Sequence, residues 1–381
     1  MKDWLRLQRE LYSQAREEAK QITGPLSAEL RKYERRYLKD QRNFQPSTST
    51  EFNAALSRAD YVFVGDFHPL RQSQRCFYRL LRDSKELPKS IALEVLDPAN
   101  EKRVMQLAKA RRWEELRLLL KLEEKWSTFF ENYREIFDFC VKNNIEIRGL
   151  NSQKKTISNR EAEAAKRLES LAKPCWILFG EFHCARPHLP RLLQKKLPHR
   201  QILILQQNDD REGLKRLKTI SEKKSILLRA PSAKSLDLFC LLHTPVWMKW
   251  QSFNERHSFL SDESSQILSS SIDLQEQLSW CVKTLYEFLS DKSYSFAAPL
   301  DELLDFDAYY SEDPSFARRL SSLSMSSRRS VLNQLERGNS GVAIREKKIF
   351  LTEPTLNSCA HAAASYLFRK LTNIQNRDLD F

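Results

Sequence analysis

The chain has 381 residues, 41% hydrophobic and 30% charged, with 63 Lys and Arg against 50 Asp and Glu and a formal charge of +13. That composition fits a folded protein of one elaborated domain or two and excludes a disordered chain; no apolar run is long enough to cross a bilayer. Basic residues are interleaved with acids, as in "RKYERRYLKDQR", without a homeodomain, zinc-finger or RNP signature. The charge therefore reads as a solvated face, not a specific nucleic-acid site.

Residues 1–50 read as a helical N-terminal extension, broken at Thr23–Pro25. It is charged from the start and shows neither a secretory nor a lipoprotein signal, so a cytoplasmic location is expected. Residues 51–255 read as an α/β domain. "YVFVGD" is a strand, "RQSQRCFYRLLRD" a helix and "SIALEVL" a second strand; a helical stretch follows from Pro98 to about Asn143. "IEIRGLN", "CWILFGE" and "RQILILQQN" continue as strands, separated by the helices "NREAEAAKRLESLA" and "PHLPRLLQKKL". Apolar strands alternating with helices predict a mainly parallel sheet covered on both faces. "SILLRA" and "LDLFCLLHTPVW" read as edge strands. Residues 256–381 read as a mostly helical cap with a hairpin near 341–353, and the Ser-rich stretches 261–271 and 321–330 read as loops. The seven cysteines are scattered without a C-x-x-C, which argues against a disulfide framework or structural zinc.

One pattern recurs. "VFVGDFHPLR" (62–71) and "LFGEFHCAR" (178–186) both read G-[DE]-F-H-x-x-R, aligning Gly65 with Gly180, Asp66 with Glu181, His68 with His183 and Arg71 with Arg186. Each copy sits where a buried strand gives way to a helix, the edge at which parallel sheets bind ligands. Strand periodicity puts Asp66 with His68, and Glu181 with His183, on one face. Glu94 in "ALEVLD", with Asn151, Gln206, Gln207 and Asn208 at other strand ends, should collect at the same edge.

Two imidazoles and nearby carboxylates suit a divalent Zn, Mn or Fe ion, with His68, His183, Asp66, Glu181 and Glu94 as candidate ligands. Glu94, among apolar neighbours, is expected to have a raised pKa and act as general base with His68 and His183, while Arg71 and Arg186 hold an anionic group or oxyanion. A metal-free version uses the same residues. Bland readings stand beside these: histidines capping turns, Glu94 as a structural carboxylate, and arginines in internal ion pairs. His188 reads as a surface histidine or a further ligand, Cys184 as a plain thiol or a nucleophile. His361 reads as core or solvent-facing, and Trp126, Phe129, Phe130 and Tyr133 as core or pocket wall.

The paired "GDFH" and "GEFH", the glutamate of "ALEVLDP" and "CVKNNIEIRGLN" resemble the ChaN and Tiki superfamily with its erythromycin esterase-like relatives, nearest the ChaN branch, over roughly Phe52 to Trp250. The resemblance implies a functional site at His68, Glu94 and His183, in either a haem-binding uptake protein or a metal-dependent protease or hydrolase. No tyrosine here is matched to a haem ligand, so the axial ligand stays unassigned. The expectation is therefore an α/β fold of two related halves that binds a divalent metal or haem in a cleft at the strand ends and hydrolyses an amide or ester. A non-catalytic haem or iron carrier, and an interaction module with a vestigial site, are the alternatives. Small molecule, peptide or haem are the expected ligands; a homo-oligomer is left open.

Overall fold

A computed structural model describes residues 2–40, 43–152, 154, 156–222, 225–231, 236–261, 274–291, 296, 299–311, 313–336, 340–351 and 356–372. They form two compact units, 1–260 and 261–381.

The first unit is built on an eight-stranded sheet: β1 (Gln45–Pro46), β2 (Tyr61–Asp66), β3 (Ser90–Leu93), β4 (Glu146–Gly149), β5 (Cys175–Gly180), β6 (Ile202–Gln207), β7 (Ile226–Arg229) and β8 (Leu236–Leu242). Their order is β1-β7-β8-β6-β2-β5-β3-β4. The six strands from β8 to β4 run parallel, and β7 and β1 close one edge antiparallel. The helices of this unit are α1 (Lys2–Thr23), α2 (Ala28–Asp40), α3 (Ser49–Leu56), α4 (Arg71–Asp83), α5 (Glu101–Lys109), α6 (Trp113–Leu120), α7 (Leu122–Trp126), α8 (Glu131–Lys142), α9 (Ile157–Glu169), α10 (Leu189–Lys196), α11 (Asp210–Lys215), α12 (Leu217–Glu222) and α13 (Val246–Ser261).

Strand alternation explains the two-sided core. Val62 and Val64 of β2 pack with Phe77 and Leu81 of α4 and with Ile136 and Phe137 of α8. Tyr61 and Phe63, pointing the other way, pack with Ala164, Ala165 and Leu168 of α9 and Leu193 of α10. Local signals set the helix ends. Thr48 and Glu51 form a capping box before α3: Thr48 Oγ1 accepts from the Glu51 amide at 3.2 Å, and Glu51 Oε2 accepts from the Thr48 amide at 2.9 Å. Gly24, at φ +63°, takes the left-handed conformation that ends α1, and its amide reaches the Lys20 carbonyl at 2.9 Å.

β5 lies between β2 and β3, so three strand ends stand side by side. Asp66 pairs in register with Gly180, and Leu93 with Leu178. Each ladder runs one bond further, Glu181 N–H to the Asp66 carbonyl (2.9 Å) and Glu94 N–H to the Leu178 carbonyl (3.1 Å). Glu94 thus follows β3 directly instead of lying within it.

The second unit holds α14 (Leu274–Asp291), α15 (Leu300–Leu303), β9 (Asp307–Tyr310), α16 (Phe316–Ser321), α17 (Met325–Glu336), β10 (Gly341–Ala343), β11 (Lys348–Leu351) and α18 (Leu356–Thr372). β10 and β11 form an antiparallel hairpin, and β9 joins β11 in parallel. Cys359, Ala362 and Ala363 of α18 pack with Leu278 and Val282 of α14. The loop expected at 321–330 is largely helix instead. Ser324 Oγ accepts from the Ser327 amide at 3.3 Å, acting as an N-cap from which α17 runs on to bury Val331. Of the Ser-rich stretch at 261–271, residues 262–271 lie outside the described residues. Among the described residues no helix is long and apolar enough to cross a membrane.

Candidate functional site

Glu94 sits 3% exposed at the meeting point of the three strand ends. Its Oε2 accepts from the Gly180 amide at 2.6 Å and lies 3.5 Å from His68 Nε2. Its Oε1 lies 3.2 Å from Arg160 Nη2 and 4.0 Å from His183 Nε2. One carboxylate therefore touches one imidazole from each copy of the repeated motif, and the three residues sequence reasoning singled out share one spot.

The outer nitrogens of the two rings are held as well. His68 Nδ1 donates to Asp66 Oδ2 at 2.8 Å, and Asp66 also accepts from Tyr133 Oη at 2.6 Å and from Gln74 Nε2. His183 Nδ1 lies 2.9 Å from Glu161 Oε1 and 2.6 Å from Tyr33 Oη, and the Tyr33 hydroxyl donates to Glu161. The two copies are thus oriented differently. In the first, the motif's own acid, two residues back, backs the histidine. In the second the chain turns instead of staying extended: the His183 amide returns to the Gly180 carbonyl at 2.9 Å. Glu181 is thrown to another side, where Lys249 Nζ holds its oxygens at 2.7 and 2.9 Å, and Glu161 from α9 takes its place. The expected shared face of Glu181 and His183 fails because strand periodicity stops at Gly180.

Electrostatics follow from this packing. Burial alone lowers the His68 imidazole, but Asp66 and Glu94 outweigh burial and raise it to about 10. Burial alone raises the Glu94 carboxyl, but His68, His183 and the Gly180 amide pull it down to about 2. The raised Glu94 expected from its apolar surroundings is therefore corrected; two imidazoles and a backbone donor reach it. Burial raises Glu181 to about 7 despite Lys249, and raises the neighbouring Asp209 to about 6. Burial also drives the Tyr33 hydroxyl up, with Glu161 adding to the effect, so it stays a phenol.

A cavity of about 530 Å³ opens over this polar floor. His68, Glu94, His183 and Arg160 line it, with walls of Phe67, Trp126, Phe182, Trp250 and Phe253 and a further side from Leu26, Leu30 and Tyr33. Trp126 meets the His68 ring edge-on at 4.9 Å. Arg71 and Arg186 are not among the lining residues; Arg186 Nη1 reaches the Pro231 carbonyl at 3.0 Å. The arginine beside the carboxylate is Arg160, which sequence reasoning missed. His188 is buried at 2%, stacked on Tyr33 at 3.8 Å, with Nδ1 donating to the Phe182 carbonyl at 2.5 Å; it is neither surface nor cavity lining. Cys184 is a buried thiol against the Phe179 carbonyl, pushed well up by burial. Asn208 accepts from the His243 and Thr244 amides, and Gln207 donates to the Gly65 and Ser73 carbonyls, so both serve the backbone.

Arg160, Glu161, Tyr33 and Lys249 are the residues the sequence did not single out. Arg160 and Glu161 look like any solvated charges of a helix. Tyr33 and Tyr37 carried a signal, two aromatics four apart in a highly charged helix, and both are buried. Among the described residues no group of three or more His, Cys, Asp or Glu side chains stands ready-made to hold a metal ion.

Residues 52–178 match the family described as "Haem-binding uptake, Tiki superfamily, ChaN". No curated protein matches the chain. Among solved structures, the chain is similar to ChaN of Campylobacter jejuni, described as showing cofacial heme binding. The identity is 12%, over 54% of this chain and 98% of that one, with a TM-score of 0.35. Over residues 52–178 the chain is thus similar to the haem-binding uptake, Tiki superfamily.

Proposed function

We propose that the chain is a hydrolase of amphipathic esters or amides whose reacting centre is His68, Glu94 and His183. One observation carries this reading: both imidazoles turn Nε2 toward the same buried carboxylate while their Nδ1 atoms rest on separate acids. An aromatic and aliphatic cavity above the centre suits a substrate with an apolar body.

In this reading His183 Nε2 takes a proton from water as its oxygen attacks the carbonyl carbon. His68, held as an imidazolium, gives a proton to the departing oxygen or nitrogen, and Arg160 faces the developing negative charge. Glu94, too acidic to be an effective base, holds the His68 imidazolium in place. His68, Glu94 and His183 are of the types that bind a divalent Zn, Mn or Fe ion, and each imidazole rests its other nitrogen on a carboxylate as metal-bound histidines commonly do, but the three are not arranged ready-made around an ion. His68, His183 and Glu94 would hold it once His68 gives up its proton; when bound, it would polarise a carbonyl and acidify water. Asp66 would act from behind His68, and Glu181 stays with Lys249.

The test is an ester and amide panel run on wild type, His68→Ala and Glu94→Ala, with and without added Zn²⁺ or Mn²⁺. Losses of about 10²–10⁴-fold in both variants support the reading. Equal turnover in all three would end it. The family match and the aromatic walls favour a second reading, a haem pocket, and a Soret band formed on hemin addition without any turnover would select it.

A further inference from the structure

The repeated motif gives His183 no acid of its own, and the atoms around its Nδ1 show what replaces it. Two oxygens lie within hydrogen-bond distance, Tyr33 Oη at 2.6 Å and Glu161 Oε1 at 2.9 Å. Tyr33 has one proton, and it is given to Glu161. That leaves the tyrosine oxygen with only lone pairs to offer the ring, and a carboxylate likewise offers only lone pairs. Both neighbours of Nδ1 are therefore acceptors.

We infer that Tyr33, contributed by the N-terminal helix α2, is a positioning residue that with Glu161 locks neutral His183 as the Nδ1–H tautomer. Its Nε2, 4.0 Å from Glu94 Oε1 and so beyond hydrogen-bond distance, then carries the lone pair on the ring's cavity side. The inference rests on the reading of His183 as part of the reacting centre, but its physical content concerns the ring alone. The placement of Tyr33 is built in. Its ring stacks on His188 at 3.8 Å with an interplanar angle of 11°, and one turn on, Tyr37 packs on Phe182 at 4.7 Å. The helix is thereby seated on the turn that carries His183. Tyr33 and His183 both lie outside residues 52–178, so the matched segment alone does not hold this pair.

The experiment uses the full chain labelled with ¹⁵N-histidine, at a pH where the His183 ring is neutral. Long-range ¹H–¹⁵N correlations report which ring nitrogen carries hydrogen. Loss of one set of signals in His183→Gln identifies the ring among the seven histidines. Wild type is expected to show hydrogen on Nδ1. Tyr33→Phe, which removes the nearer acceptor and keeps the ring, is expected to populate the Nε2–H form and to weaken Zn²⁺ binding by about 10–100-fold, the usual cost of losing an outer-shell partner. Tyr37→Phe, on the same helix but away from His183, is expected to match wild type in both readouts, which separates positioning from helix packing. An Nε2–H ring in wild type, or a Tyr33→Phe spectrum and Zn²⁺ affinity identical to wild type, would overturn the inference. A wild type that hydrolyses nothing yet shows the expected tautomer shift removes the hydrolase reading and leaves this inference standing.

Discussion

The Gly180 amide donates to Glu94 Oε2 at 2.6 Å, and a Cβ built on Gly180 would stand 3.0 Å from that same oxygen. The motif glycine thus serves a close approach: its bare backbone lets the carboxylate press against the strand end. Gly65, its counterpart, is similarly confined, with Glu181 Cα 3.3 Å from its missing Cβ. Gly180→Ala should push Glu94 back, weaken a hydrogen bond to a charged acceptor, and lower turnover by about tenfold or more. Steady-state kinetics beside a melting curve check this; a wild-type rate would mean that the contact is not needed.

The pH dependence of stability has a definite sign. His68 is raised from 6.5 to about 10, so its stabilising contribution is complete below 6.5 and is lost as pH rises through about 10. Glu94 is lowered from 4.5 to about 2, so its contribution is complete above 4.5 and is lost as pH falls through about 2. The stability gap between wild type and His68→Gln should therefore be widest between 4.5 and 6.5 and should close in strong base. Urea unfolding of both proteins from mild acid through strong base measures it, and a gap that widens in base would contradict the imidazolium assignment.

Lys249 is 3% exposed and faces Glu181, with Asp210 Oδ1 3.5 Å from its Nζ. Removing one partner of a buried pair leaves a stranded charge, so Lys249→Met should cost about 3–5 kcal/mol near neutral pH. Burial raises Glu181 from 4.5 to about 7, so its ionisation costs stability as pH rises through that range. The variant should then lose less in mild acid, where Glu181 takes up a proton. Adding Glu181→Gln should recover much of the loss, and chemical denaturation of the single and double variants reads both effects.

Arg160 and Arg186 separate the observed site from the motif alone. Arg160→Ala removes the guanidinium 3.2 Å from Glu94 and should cut turnover by about tenfold. Arg186→Ala removes a contact to the Pro231 carbonyl outside the cavity lining and should leave turnover within about twofold. The reverse pattern would return the substrate-facing role to the repeated motif.

The sheet was legible because its signal is local: continuous apolar runs in "YVFV", "CWILF" and "ILIL", each ended by glycine or a polar residue, read as strands buried on both faces. The ends of parallel strands gather at one edge, which makes the company of His68, Glu94 and His183 legible from the sequence as well. What sequence did not carry were choices made by tertiary packing. The turn after Gly180 sends Glu181 to Lys249, a residue 68 positions on, and brings in Glu161. Asp66 and Glu181 look equivalent in the motif, but only a three-dimensional neighbour decides which one backs its histidine. The charge on Glu94 was not legible for a related reason: apolar strand neighbours say nothing about the two imidazoles and the Gly180 amide that reach it. The N-cap role of Ser324 was hidden inside a serine-rich run that resembles a loop.

The most direct test of the central claim is a mutant cycle on His68, Glu94 and His183, with turnover measured for the single variants to Ala, each pair and the triple. Groups that work as one unit lose activity non-additively. The account predicts that each single variant falls about as far as the triple. Losses that multiply independently, or a triple variant as active as wild type, would contradict it.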